Sequence, residues 1–164
     1  MINRDLTAIE ILGIGARSEE ESCKFYRKLA QRIKNKIVKE KILSLARDEK
    51  IHKEILFKKY SEITGEKVPP VPPKGRDRSK SPTNSEMAIK DLIQFAICKE
   101  REAYKLYSLG ASKAKDLSGR HMLEYLAAFE KNHERILKAE LEALERFPKW
   151  FEEEDGFRFI HVGP

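Results

Sequence analysis

Slid against itself by 81 residues without a gap, the chain brings Glu19 onto Glu100, Tyr26 onto Tyr107, Glu49 onto Glu130 and His52 onto His133. Apolar positions agree in the same register: Ile11 meets Leu92, Leu12 meets Ile93, Leu45 meets Leu126, Ala46 meets Ala127 and Leu56 meets Leu137. Each half therefore reads as a copy of one unit, and the fold must accommodate that unit twice.

The unit is a helical hairpin. Apolar residues recur at steps of three and four through Ile9, Leu12, Ala16, Leu29 and Ile33, and again through Ile42, Leu45, Ala46, Ile55 and Leu56. The pattern predicts four helices at about 6–33, 36–63, 84–113 and 118–146, with the chain turning near 34–36 so that the first two pack antiparallel. Thr83-Asn84-Ser85-Glu86 has the form of a capping box at the start of the third helix, and Asp116 or Ser118 can cap the fourth. Residues 64–85 carry five prolines and two glycines, which cannot continue a helix and favour extended backbone. About 20 such residues reach ~60 Å, more than the ~42 Å of a helix of about 28 residues. This linker can cross the whole bundle. The expected architecture is all-α: an antiparallel four-helix bundle over residues 1–146 with a long Pro-rich crossover between helices 2 and 3. The aromatic tail, 147–164, would fold back over one end of the bundle or pack on a neighbouring subunit.

The repeat also selects a site. Seven residues are close to two helical turns, so Glu19 shares a face with Tyr26 and Glu100 with Tyr107; in Glu-x-x-His, carboxylate and imidazole sit side by side one turn apart. Glu19 lies 16 residues before Asn35 and Glu49 lies 14 after it, while Glu100 and Glu130 stand at the same separations about Asp116. Folding each hairpin at those points brings all its polar residues to mid-bundle. Glu49 and Glu130 lie on apolar stripes, and four carboxylates converging in an apolar interior are prohibitively costly unless protonated or neutralised by cations. Two metal ions bound by Glu19, Glu49, His52, Glu100, Glu130 and His133 remove that cost.

Composition narrows the remaining choices. Charged residues make up 37% of the 164 residues, rich in the Glu, Lys, Leu, Ile and Ala that favour helices. The net charge of +6 is spread among acidic residues along every helical stretch, which argues against a nucleic-acid partner. The start, MINRDLTAIE, has no apolar signal core, and no run is long and apolar enough for a membrane span, so a cytoplasmic protein is expected. Cys23 and Cys98 form no Cys-x-x-Cys pair and read as two buried free thiols. Cys23, one turn after Glu19, could instead face the site as a redox thiol.

The segments EEESCKFYRKLA with DEKIHKEIL, and KEREAYKLYSLGA with FEKNHERIL, resemble the rubrerythrin-like branch of the ferritin-like di-iron carboxylate superfamily. The resemblance implies that Glu49 and Glu130 bridge two iron ions, that His52 and His133 each cap one ion, and that Glu19 and Glu100 each complete one ion's ligands. Manganese or mixed occupancy would suit the same residues. Tyr26 and Tyr107 would lie beside the site as hydrogen-bonding, candidate catalytic groups, or serve simply as amphipathic core tyrosines. Two departures stand out. The chain lacks the paired Cys-x-x-Cys motifs of a rubredoxin-like module, so electrons would come from an external donor protein such as a rubredoxin. It also has Ala103 where rubrerythrins carry a further Glu, one turn after the third-helix ligand. The implied function is an oxidoreductase reducing peroxide or dioxygen. Iron storage or ferroxidation is the alternative, as is a di-iron hydroxylase for which the basic KGRDRSK stretch would dock a nucleic acid. Exposed aromatics in the tail suggest a homodimer.

Overall fold

The computed structural model describes residues 6–67 and 87–154. They form five helices: α1 (Ala8–Arg32), α2 (Lys36–Thr64), α3 (Ile89–Lys113), α4 (Leu117–Arg146) and the short α5 (Pro148–Glu152). Local chemistry explains most of the boundaries. Thr7 and Glu10 form a reciprocal capping box that starts α1, Thr7 Oγ1 accepting from Glu10 N at 3.2 Å and Glu10 Oε2 from Thr7 N at 2.8 Å. Asn35 Oδ1 accepts from the backbone of Ile37 and Val38 to start α2, and Asp116 accepts from Gly119 N to start α4. α2 ends on Gly65, whose φ of 75° suits a residue without a Cβ.

The start of α3 differs from expectation. The Thr83–Glu86 box lies outside the described residues, and Met87 and Ala88 are not helical; Ala88 is extended and α3 begins only at Ile89. Most of the predicted crossover, 68–86, also lies outside them.

α1 packs chiefly on α2 and α3 on α4, and the two hairpins meet mainly through α1 against α3. Their directions follow from side-chain contacts. Tyr26 of α1 bonds Glu100 of α3 while Tyr107 of α3 bonds Glu19 of α1, so these helices run antiparallel. Lys41 pairs with Glu140, and Lys59 with Asp116, so α2 and α4 do as well. α2 therefore ends at the opposite end of the bundle from the start of α3, and their connection is a crossover.

Burial divides the interior into two apolar clusters. Phe25, Leu29, Ile33, Ile42, Leu45, Ile93 and Leu137 fill one end; Ile11, Leu12, Leu56, Leu106, Leu123 and Leu126 fill the other. The polar residues selected by the repeat lie between them. At the first end the chain folds back on itself: α5 buries Phe151, and the fully buried Asn35 donates from Nδ2 to Trp150 O at 2.8 Å. Of the tail's aromatics, Phe151 and half-buried Trp150 pack on their own chain and Phe147 is exposed, while residues 155–164 lie outside the described residues. The two cysteines also depart from the sequence reading. Cys23 is half-buried and Cys98 exposed, because Cys98, two positions before Glu100, falls on a different face of α3 from that inward residue.

Candidate metal centre

Four helices each deliver polar side chains to one layer: Glu19 from α1, Glu49 and His52 from α2, Glu100 from α3, and Glu130 and His133 from α4. None of the six is more than 2% exposed, a depth at which ionised carboxylates need compensation. They fall into two groups, Glu19–Glu49–His52–Glu130 and Glu49–Glu100–Glu130–His133, in each of which one ligand atom per residue lies within 4.8 Å of the others. Glu49 and Glu130 belong to both. Two overlapping sets sharing two carboxylates suit a pair of cations held side by side.

Both imidazoles aim Nδ1 inward. His52 Nδ1 stands 3.1 Å from Glu130 Oε1 and 3.4 Å from Glu49 Oε2; His133 Nδ1 stands 3.2 Å from Glu49 Oε1 and 3.4 Å from Glu100 Oε2. These contacts are close without being aligned hydrogen bonds. Both oxygens of Glu49, Oε2 of Glu100, Oε1 of Glu130 and Nδ1 of both histidines have no hydrogen-bond partner although buried. Orphaned buried acceptors are rare, and six converging on one layer fit cations that the donors would surround. The chemistry of the set, hard carboxylate oxygens with imidazole nitrogens, suits iron or manganese.

Two of the other carboxylate oxygens are anchored by tyrosines. Tyr26 donates its hydroxyl proton to Glu100 Oε1, and Tyr107 donates to Glu19 Oε1. Each tyrosine thus holds the glutamate of the opposite hairpin, an exchange across an approximate twofold axis. Tyr26 and Tyr107 are buried to 1% and 0% exposure, and burial with the nearby Glu100 pushes the Tyr26 phenol well above its usual range.

Without cations, protons occupy their role. Burial, then the charges of Glu49 and Glu130, raise Glu19 well above the carboxylate range; burial and Glu49 do the same to Glu130. Glu49 goes the other way: burial would raise it, but Glu19 and the two histidines outweigh that and hold it low. Burial alone would lower the histidines, yet the facing carboxylates lift His52 to about 9 and His133 to about 11. Protonated histidines and glutamates cannot bind metal, so ions and protons compete for this layer.

Sequence reasoning missed two neighbours. Asp48, immediately before Glu49, places Oδ2 at 3.4 Å from His133 Nε2, the nitrogen facing away from the site. Phe129, immediately before Glu130, sets its ring edge-on to His52, centroids 5.2 Å apart at 84°. The signal was present in the repeat, where Asp48 and Phe129 occupy equivalent positions and differ in kind. Glu134 is buried beside His133, but Arg101, Lys131 and Lys138 hold it by ion pairs of 2.7, 3.0 and 2.7 Å, and it belongs to neither ligand group. Ala103 is buried and offers only a methyl group; Cys23 is in neither group.

Comparison with known proteins bears on the family and the fold. The rubrerythrin family model matches residues 10–141. A hypothetical protein from Pyrococcus furiosus shares 32% sequence identity over 87% of this chain and 93% of that one, with a TM-score of 0.79. A protein from Thermotoga maritima, provisionally described as a ferritin-like diiron-carboxylate protein, shares the fold with a TM-score of 0.67 at 23% identity, over 87% of this chain and 97% of that one. No curated protein matches in sequence.

Proposed function

This chain belongs to the rubrerythrin family, and on that premise we propose that its ferritin-like bundle is a non-haem di-iron oxidoreductase that reduces peroxide or dioxygen. The observation that carries the reading is the pair of four-residue ligand groups sharing Glu49 and Glu130. Glu49 and Glu130 would hold both ions, Glu19 and His52 one, Glu100 and His133 the other. Iron bound there supplies one-electron steps between ferrous and ferric states and Lewis acidity toward a small oxidant.

The protein's own groups set the conditions for that chemistry. The apolar clusters on either side exclude bulk water and strengthen every electrostatic interaction within the layer. Tyr26 and Tyr107 fix Glu100 and Glu19 by one oxygen each, leaving the other oxygen to face inward, and their hydroxyls place a proton beside each outer ligand. With Ala103 contributing no carboxylate, each ligand group comprises four protein residues, and an ion held by them through one atom each would have positions left for a small oxidant.

Among the described residues no helix is long and apolar enough to cross a membrane. The reductant in this proposal is an external one-electron protein donor. Anaerobically reduced, iron-loaded protein should consume hydrogen peroxide many times faster than the same concentration of free ferrous iron, with two irons oxidised per chain. Equal rates would remove the oxidoreductase reading. Uptake of many more than two irons per chain would replace it with storage.

A further inference from the structure

We infer that the two metal positions are unequal, and that Asp48 makes the His133 position the one that fills first and holds its ion more tightly. The inference rests on the two-ion reading above. Its basis is a break in a symmetry that otherwise extends well beyond the ligands.

Under the 81-residue offset the two ligand sets exchange: Glu19 with Glu100, Glu49 with Glu130, His52 with His133. The tyrosine bonds exchange with them, since Tyr26 to Glu100 becomes Tyr107 to Glu19. Both histidines present Nδ1 to the centre. Direct ligands and the tyrosines behind them therefore give neither position an advantage in the kind of donor.

One layer farther out the symmetry fails. Behind His133, Asp48 reaches across from α2 with Oδ2 3.4 Å from Nε2, so that an Nε2–H can be directed at a carboxylate. Behind His52 the equivalent residue is Phe129, a hydrocarbon ring edge-on to that imidazole at 5.2 Å and, farther off, to His133 at 6.3 Å, and packed in turn on Tyr125 at a centroid distance of 4.7 Å. A carboxylate behind a ligating histidine fixes its tautomer, aligns the ring and increases its donor strength; losing such a partner typically lowers metal affinity 10–100-fold. A phenyl ring can pack against the imidazole but accepts no comparable hydrogen bond. Asp48 is thus a positioning residue for one ion only. Its side chain is 37% exposed, so it can be replaced without emptying the core.

The test is an anaerobic titration of the metal-free full chain with cobalt(II), followed by visible absorption and calorimetry. Wild-type protein should bind two ions per chain in two steps. Repulsion between neighbouring cations separates the steps even at equal positions, so the variants decide. Asp48→Asn should weaken the first step at least about tenfold, and Asp48→Glu should recover most of that loss. Circular dichroism and the melting temperature of metal-free Asp48→Asn should match wild type, which separates a loss of donor strength from a loss of structure. If Asp48→Asn leaves the first step untouched, or weakens both steps equally, the positions are not distinguished by Asp48 and the inference falls. Fewer than two cobalt ions per wild-type chain would instead overturn the two-ion reading itself.

Discussion

At the scale of single residues, the site depends on close approach as much as on donors. Gly15 lies on α1 one turn before Glu19, and a Cβ built there would stand 2.8 Å from Cε1 and 3.0 Å from the hydroxyl of Tyr107, with Leu56 Cδ1 at 3.3 Å. That ring has no room to retreat, because it is fully buried and tied to Glu19. Gly15→Ala should therefore displace Tyr107 and cost about 1–3 kcal/mol, in the range for overpacking a core. Tyr107→Phe removes the hydroxyl and leaves a buried carboxylate oxygen without its donor, a loss of about 1–3 kcal/mol by a different route. Because the first substitution already disturbs the bond that the second deletes, the double variant should lose less than the sum. Urea unfolding of the four metal-free proteins measures this, and strict additivity would show that Gly15 and the Tyr107–Glu19 bond are independent.

At the scale of helices, Asn35 joins α2 to α5. Its Oδ1 caps α2 through Ile37 N at 3.0 Å and Val38 N at 3.1 Å, its Nδ2 donates to Trp150 O, and its backbone N–H reaches Phe151 O at 3.4 Å. Asn35→Ala removes the cap, about 1 kcal/mol, and leaves Trp150 O without its donor, about another 1–3. Trp150 is the chain's single tryptophan, so detachment of α5 can be read as a red shift of its fluorescence together with a lower melting temperature. A lower melting temperature with unshifted emission would mean that Phe151 alone holds α5. Such contacts mark the boundary of what a sequence discloses. The four long helices and the layer holding Glu19, Glu49, His52, Glu100, Glu130 and His133 were legible because helical period and internal repeat are written in residue spacing. Partnerships between distant segments are not: nothing local tells Asn35 that it will meet Trp150, or Tyr26 that it will bond Glu100 rather than only fill the core. The start of α3 was misplaced for a related reason. A capping pattern at 83–86 states where a helix can begin, whereas the chain is still extended at Ala88. The exposure of Cys98 shows that the face a residue occupies outweighs its average preference for the interior.

At the scale of the whole molecule, a stable bundle has been built around a layer that is unfavourable unless something positive fills it. In the metal-free protein that something is protons, and stability should therefore depend on pH in a definite direction. His52 at about 9 and His133 at about 11 lie above the ~6.5 of an unfolded histidine, so between these values the folded state binds more protons than the unfolded chain. Their stabilisation is complete below pH ~6.5 and is lost as pH rises through about 9 and then about 11, by up to ~1.4 kcal/mol per pH unit for each proton held in excess. Glu19 and Glu130, also raised, act in the same sense; Glu49 is lowered and adds stability that is already complete well below neutral pH. Metal reverses the dependence. Ions bind the deprotonated ligands, so their affinity and the stability they add both rise with pH. Melting temperatures recorded from pH 6.5 to 9.5 should fall steadily in the presence of chelator, and should stay level or rise when ferrous or manganous ion is supplied without oxygen. The two curves should diverge most at the alkaline end. Parallel curves would mean that the ions do not displace protons from this layer, and that the six residues bind no metal where the fold brings them together.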